Sequence, residues 1–87
     1  MPAVAYDYKT IAPQVKETLR RAMGENSLVV TQEGYQGRIH AKVVSERFDG
    51  MSEAEKQRFV WDILKAETDP ETQLAVTFVV CYGTEDL

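Results

Sequence analysis

Apolar positions along this chain keep a helical period at first, switch to a period of two, and then switch back. Between residues 8 and 23, Ile11, Val15, Leu19, Ala22 and Met23 recur at intervals of three and four, while Lys16, Glu17, Arg20 and Arg21 occupy the other side. That spacing predicts a helix with one buried stripe. Pro13 constrains its start, because an interior proline loses a hydrogen bond and crowds the preceding turn. The expected start is near Ala12, with Pro13 in the first turn and a frayed or offset stretch from Tyr8. Gly24 is the natural residue to follow the last turn.

Ser27 to Gln32 is rich in β-branched residues and predicts a strand. Glu33 to Gly37 reads as a hairpin loop in which Gly34 and Gly37 are available for positive φ. From Arg38 to Ser45, Ile39, Ala41 and Val43 alternate with Arg38, His40 and Lys42, which predicts a second strand with one buried and one basic face. Arg47 to Met51 is a turn with Phe48 directed into the core. Ser52 then caps a second helix, and Glu55 completes an S-x-x-E capping box. Phe59, Val60, Ile63 and Leu64 form that helix's apolar stripe, with Trp61 half-buried at its edge. Asp69 and Pro70 open a short helical turn. Residues 73–82 form the last strand, apolar on both faces. Leu74, Val76, Phe78, Val80 and Tyr82 are expected to face the core, and Ala75, Thr77, Val79 and Cys81 to line an open sheet. A contact surface for a second copy or a partner is the other reading of that strand, since exposed apolar patches mark contacts.

The order is thus α-β-β-α-(short α)-β. A helical connection between the second and third strands makes them parallel, with a right-handed crossover, and the first two strands form an antiparallel hairpin. The expected fold class is α+β, a three-stranded mixed sheet with helices on one face. One domain over residues 1–87 is expected, ordered over about 8–82, with residues 1–7 and 84–87 loose.

Charge and composition narrow the function. Ten Lys and Arg stand against 14 Asp and Glu, for a net charge of −4. That balance argues against a charge-driven nucleic-acid binder, whose affinity rests on neutralising phosphates, and leaves room for a local basic row. No apolar run approaches the roughly 20 residues of a membrane span, so no membrane partner is expected. Met1 to Ala5 lacks the basic and apolar regions of a signal peptide. A single cysteine, Cys81, makes no internal disulfide, and a cytoplasmic location is the expectation.

Val44-Ser45-Glu46-Arg47-Phe48-Asp49-Gly50-Met51-Ser52, followed by Lys56, Arg58, Phe59, Val60 and Leu64, resembles the signature of BolA-like proteins, V-S-E-R/K-F-x-G-M-S and then a helix with R-x-R-L/F-V and a Leu. The resemblance is specific over residues 43–64 and extends in layout over about 8–82. It implies a type II KH-like arrangement and a non-enzymatic regulatory or adaptor protein. The implied partner is a monothiol glutaredoxin, in iron–sulfur handling or the stress response. In that family the mixed pair holds a 2Fe-2S cluster, to which the BolA-like partner contributes a histidine at the start of the last strand and a second His or Cys from the loop between the first two strands. Here the strand-start position is Leu74, and the loop from Glu33 to Gln36 holds neither residue type. No metal ligand carries over, and no intrinsic cofactor is expected. Gly34, Tyr35, Gly37 and Leu74 remain as candidate partner contacts. His40 and Cys81 match no ligand position; they read as a strand-surface residue and a small hydrophobe.

Arg38, His40, Lys42, Arg47, Lys56 and Arg58 are the candidate basic contacts to nucleic acid or an acidic protein, or else solvated faces. Gly34-Tyr35-Gln36-Gly37 spells the G-x-x-G with which KH domains clamp a nucleic-acid backbone, but at a hairpin tip rather than between two helices. One His and one Cys support no catalytic triad or dyad, so no enzyme is expected. Three readings stay open. They are a protein-binding adaptor, a KH-like nucleic-acid-binding transcriptional regulator, and a self-associating domain that forms a weak homodimer.

Overall fold

The first helix begins one turn earlier than Pro13 suggests. In the computed structural model, which describes residues 5–86, α1 runs Tyr8–Met23 with Pro13 inside it. Two contacts secure the turn before the proline. The Ile11 N–H donates to the Asp7 carbonyl at 2.9 Å, and Thr10 Oγ1 donates to Asp7 Oδ2 at 2.7 Å. The Tyr8 hydroxyl adds a tertiary bond, donating to Thr31 Oγ1 at 3.0 Å. Pro13 and Lys9 are both exposed, so the carbonyl that the missing proline N–H would have met can turn to water. Ala12, Val15, Leu19 and Met23 are the buried stripe, with Ile11 partly buried against it.

Strand β1 spans Leu28–Glu33 and β2 spans Ile39–Val44. They pair antiparallel, Leu28 opposite Val44 and Glu33 opposite Ile39. The hairpin connection contains a 3₁₀ turn, Tyr35–Gly37. Of its two glycines only Gly37 takes positive φ, at +75°, and the other left-handed residue is Gln36, at +57°. Gly37 is also a close approach: a Cβ there would strike the Tyr6 carbonyl, while the Tyr6 N–H donates to the Gln36 carbonyl at 2.8 Å. Gly34, expected at positive φ, has φ −106°; its missing side chain leaves room for the His40 ring instead.

After β2, a 3₁₀ turn at Glu46–Phe48 buries Phe48 in the core. Helix α2 follows over Glu53–Glu67, opened by a complete Ser52/Glu55 capping box. Helix α3 covers Pro70–Ala75 with the Asp69 side chain accepting from the Thr72 N–H, and β3 covers Val76–Tyr82. Residues 73–75, predicted as strand, therefore belong to the helix. The cap at Asp69 and the Gln73 amide, which donates to the Thr68 carbonyl at 3.0 Å, hold the chain helical until Val76 can pair.

The sheet order is β1-β2-β3, with β2 central and parallel to β3. The fold is α+β, a three-stranded mixed sheet with helices over one face. Val29, Ile39, Ala41, Val43, Val79 and Cys81 face Val15 and Leu19 of α1 and Val60 and Leu64 of α2 across the core. Phe59 and Ile63 pack at its margin, and Phe48 meets Phe59 edge-on with centroids 6.2 Å apart.

From Phe78 onward the orientation of β3 is opposite to the expected one. Ile39 pairs with Val76, but His40 pairs with Phe78, so Thr77 is an extra residue that exchanges the faces of everything after it. Val79 and Cys81 are buried, whereas Phe78, Val80 and Tyr82 lie on the open side with His40.

The expected loose C-terminal segment is also corrected over its described part. Thr84–Asp86 is a 3₁₀ turn held at two points. Asp49 accepts from the Thr84 N–H at 2.6 Å and from the Thr84 hydroxyl. Lys56 donates to Asp86 at 2.8 Å. Met1 to Val4 and Leu87, also expected to be loose, lie outside the described residues, as does most of the stretch read against a signal peptide.

Candidate functional site

Opposite the core, strand alternation sets out three rows of three residues: Leu28, Val44 and Tyr82; Val30, Lys42 and Val80; Gln32, His40 and Phe78. Among the described residues no helix covers this face, and Leu28, Val30 and Phe78 are 55%, 44% and 45% exposed. A shallow depression of about 220 Å³ lies among Val30, His40, Lys42, Phe78 and Val80. None of the nine positions is a carboxylate, on a chain whose net charge is −4. Lys42 occupies the centre, exposed, with its ammonium 5.6 Å from the centroid of the Tyr82 ring. His40 stacks on Phe78, centroids 4.3 Å apart and planes 25° from parallel, and its other flank rests over Gly34.

A second exposed feature lies at one end of the sheet. Because Ile39 pairs with Val76, the hairpin loop before β2 and the end of α3 before β3 come to the same end. Tyr35 is 80% exposed there and Leu74 67% exposed. Gly37 is buried beneath the loop and Gly34 faces His40, so both shape the loop rather than offering contacts of their own.

The six basic candidates do not form one patch. His40 and Lys42 share the open side of the sheet, and Arg38, just before β2, sets its guanidinium 5.5 Å from the Tyr6 ring. Arg47 is exposed in the turn beyond the far end of β2, and Arg58 is exposed on α2, in the layer behind the sheet. Lys56, expected on a solvated basic face, is buried and forms ion pairs with Asp86 at 2.8 Å and Glu53 at 3.2 Å. The hydrogen bond that Lys56 donates to Asp86 raises the Lys56 pKa, and the same bond lowers that of Asp86. Lys56 is thus part of the bolt that fastens the C-terminal turn to α2.

The residues present do not fit a cluster-ligand role. Leu74 has no donor atom, and it projects from a helix. Cys81 faces the core, where burial pushes its thiol up to about 11, whereas a ligating cysteine must be a thiolate. His40 lies on the opposite face of the sheet from Cys81. Among the described residues, no three His, Cys, Asp or Glu side chains come together as a metal site.

Sequence reasoning found the β2 part of the open face and missed the rest. Leu28, Val30 and Gln32 were legible from their alternation with the buried Val29. Phe78, Val80 and Tyr82 were not, because nothing in an unbroken apolar strand marks the residue where register slips. Compared with protein-family models, curated proteins and solved structures, the chain matches none.

Proposed function

We propose that this protein is a non-enzymatic adaptor of the BolA-like type, which docks a monothiol glutaredoxin-type partner through the end of the sheet that carries Tyr35 and Leu74. The observation that supports this most directly is the placement of two exposed large hydrophobic residues from separate segments at one end of the sheet, where the resemblance puts the partner contact. Because Leu74 and the hairpin loop supply no iron ligand, the docking is through protein contacts alone. A regulatory role in iron–sulfur handling or stress would then act through occupancy of the partner. The nucleic-acid reading has less support: its basic candidates are spread over three parts of the molecule, and one is consumed in a buried ion pair. No helix among the described residues is long and apolar enough to cross a membrane.

Isotope-labelled protein titrated with a monothiol glutaredoxin carrying its 2Fe-2S cluster tests the reading. Amide shifts at Gly34–Gly37 and Leu74, with unchanged visible circular dichroism of the cluster, are expected. Absence of shifts at that end overturns it.

A further inference from the structure

We propose that the open sheet face is a second docking surface, separate from the Tyr35–Leu74 end, and that its occupant is an amphipathic helix of a partner protein with a carboxylate set in its apolar stripe. The proposal does not rest on the glutaredoxin reading, since it concerns other residues.

Dimensions come first. Three strands spaced by ~4.8 Å, of six, six and seven residues at ~3.3 Å each, make a platform of roughly 14 by 20 Å. An α-helix with its side chains is about 10–12 Å across, and three to four turns span about 20 Å. One helix laid on the face covers the rows from Leu28 to Phe78.

Charge then selects the occupant. Lys42 stands at the middle of the central strand, between Val30 and Val80 across the sheet and His40 and Val44 along it, with its ammonium over Tyr82. Any apolar group laid over those neighbours strips water from the ammonium. A buried charge left without a counter-ion is strongly unfavourable, so an occupant that brings an anion to that point is favoured over one that does not. A second copy fits less well: its nine face positions hold no carboxylate, and a two-fold axis near Lys42 would set that lysine against its own mate. Single-stranded nucleic acid fits less well. Its affinity comes from several phosphate contacts and from bases stacked on free aromatic faces. Here there is one central lysine, His40 stacks against the Phe78 ring, and the Lys42 ammonium lies over Tyr82. Strand addition at β3 is opposed by Gln57, whose amide donates to the Val79 carbonyl at 2.7 Å and so occupies a mid-strand acceptor. A helix whose leucines fit among Leu28, Val30, Val80 and Phe78, with a glutamate over Lys42, meets both the apolar and the ionic requirement.

Two synthetic peptides test this, each of about 14 residues, or ~21 Å of helix. They share leucines at helical spacing and differ at one stripe position, Glu in one and Lys in the other. Each is titrated into isotope-labelled full chain. The Glu peptide is expected to shift the amides of Val30, Lys42, Phe78 and Val80 and to bind roughly tenfold more tightly than its Lys counterpart. Lys42→Glu, at an exposed position that leaves the fold intact, is expected to reverse that order. Equal binding of the two peptides, or no shifts on this face with either, overturns the proposal. So does a sheet-face dimer in sedimentation that excludes the peptide, or tighter and steeply salt-dependent binding of a single-stranded decanucleotide at the same amides. Because the glutaredoxin titration reads Gly34–Gly37 and Leu74, either reading can fail while the other stands.

Discussion

Phe48 shows how much one side chain carries in a core this small. It is 1% exposed and touches Phe59 edge-on. Phe48→Ala is expected to cost about 3–5 kcal/mol, as buried aromatic truncations do. Phe59 is only partly buried against the core, so Phe59→Ala should cost clearly less, although both read as core from sequence. Urea midpoints of the two variants check the order, and equal losses would contradict it. The fate of Lys56 makes the same point for charge. Its local sequence, with Glu53, Glu55 and Asp62 nearby, reads as an ordinary solvated helix face, and only the return of the chain at Asp86 makes it a buried partner. His40 and Cys81 are placed by strand alternation alone, one outward and one inward, before any chemistry is considered.

At the scale of elements, local signals placed the turns and caps well. Ser52 with Glu55, and Asp69 with Pro70, satisfy helix N-termini through contacts three residues apart, which a sequence displays directly. Pro13 is the instructive exception. A proline inside a helix breaks a backbone bond, but tertiary contacts of Tyr8 and the Asp7–Thr10 bond keep the turn ahead of it. Pro13→Ala should restore the bond to the Lys9 carbonyl without disturbing a buried contact. The expected gain is about 1–3 kcal/mol, read as a higher urea midpoint; an unchanged or lower midpoint would mean that the first turn is held independently of that bond.

For the molecule as a whole, the charged bolts predict a stability profile with two falling limbs. Asp49, Glu55, Asp69 and Asp86 all have lowered pKa values, chiefly through hydrogen bonds from Thr84, Ser52, Thr72 and Lys56 respectively. Each contributes stability that is full above the ordinary carboxylate range and is lost as pH falls through its depressed folded value. Lys56 is raised by Asp86, so its contribution is full below the ordinary lysine range and is lost as pH rises through the raised value. Burial moves Cys81 from 9.0 to about 11, and the stability gained by keeping it neutral disappears across that interval. Urea midpoints should therefore form a plateau around neutral pH, drop on strong acidification, and drop again above pH 9. Asp86→Asn should lower the plateau and make the acid limb shallower; an unaltered profile would show that the C-terminal turn is not coupled to global unfolding.

The period of the apolar residues was enough to establish the α-β-β-α-α-β order, the antiparallel hairpin and the buried face of β2, because these depend on interactions between near neighbours in the chain. The side of β3 that meets the core was not legible in the same way. One unpaired residue, Thr77, reverses it, and the energy that favours that bulge comes from pairing with β2 and packing under α2. The candidate surface divides along the same line. Its central lysine and histidine follow from alternation in β2. Its two flanks, the exposure of Leu74 on a helix end and the removal of Lys56 from the basic set follow from contacts between residues distant in sequence, which exist only once the chain has closed on itself.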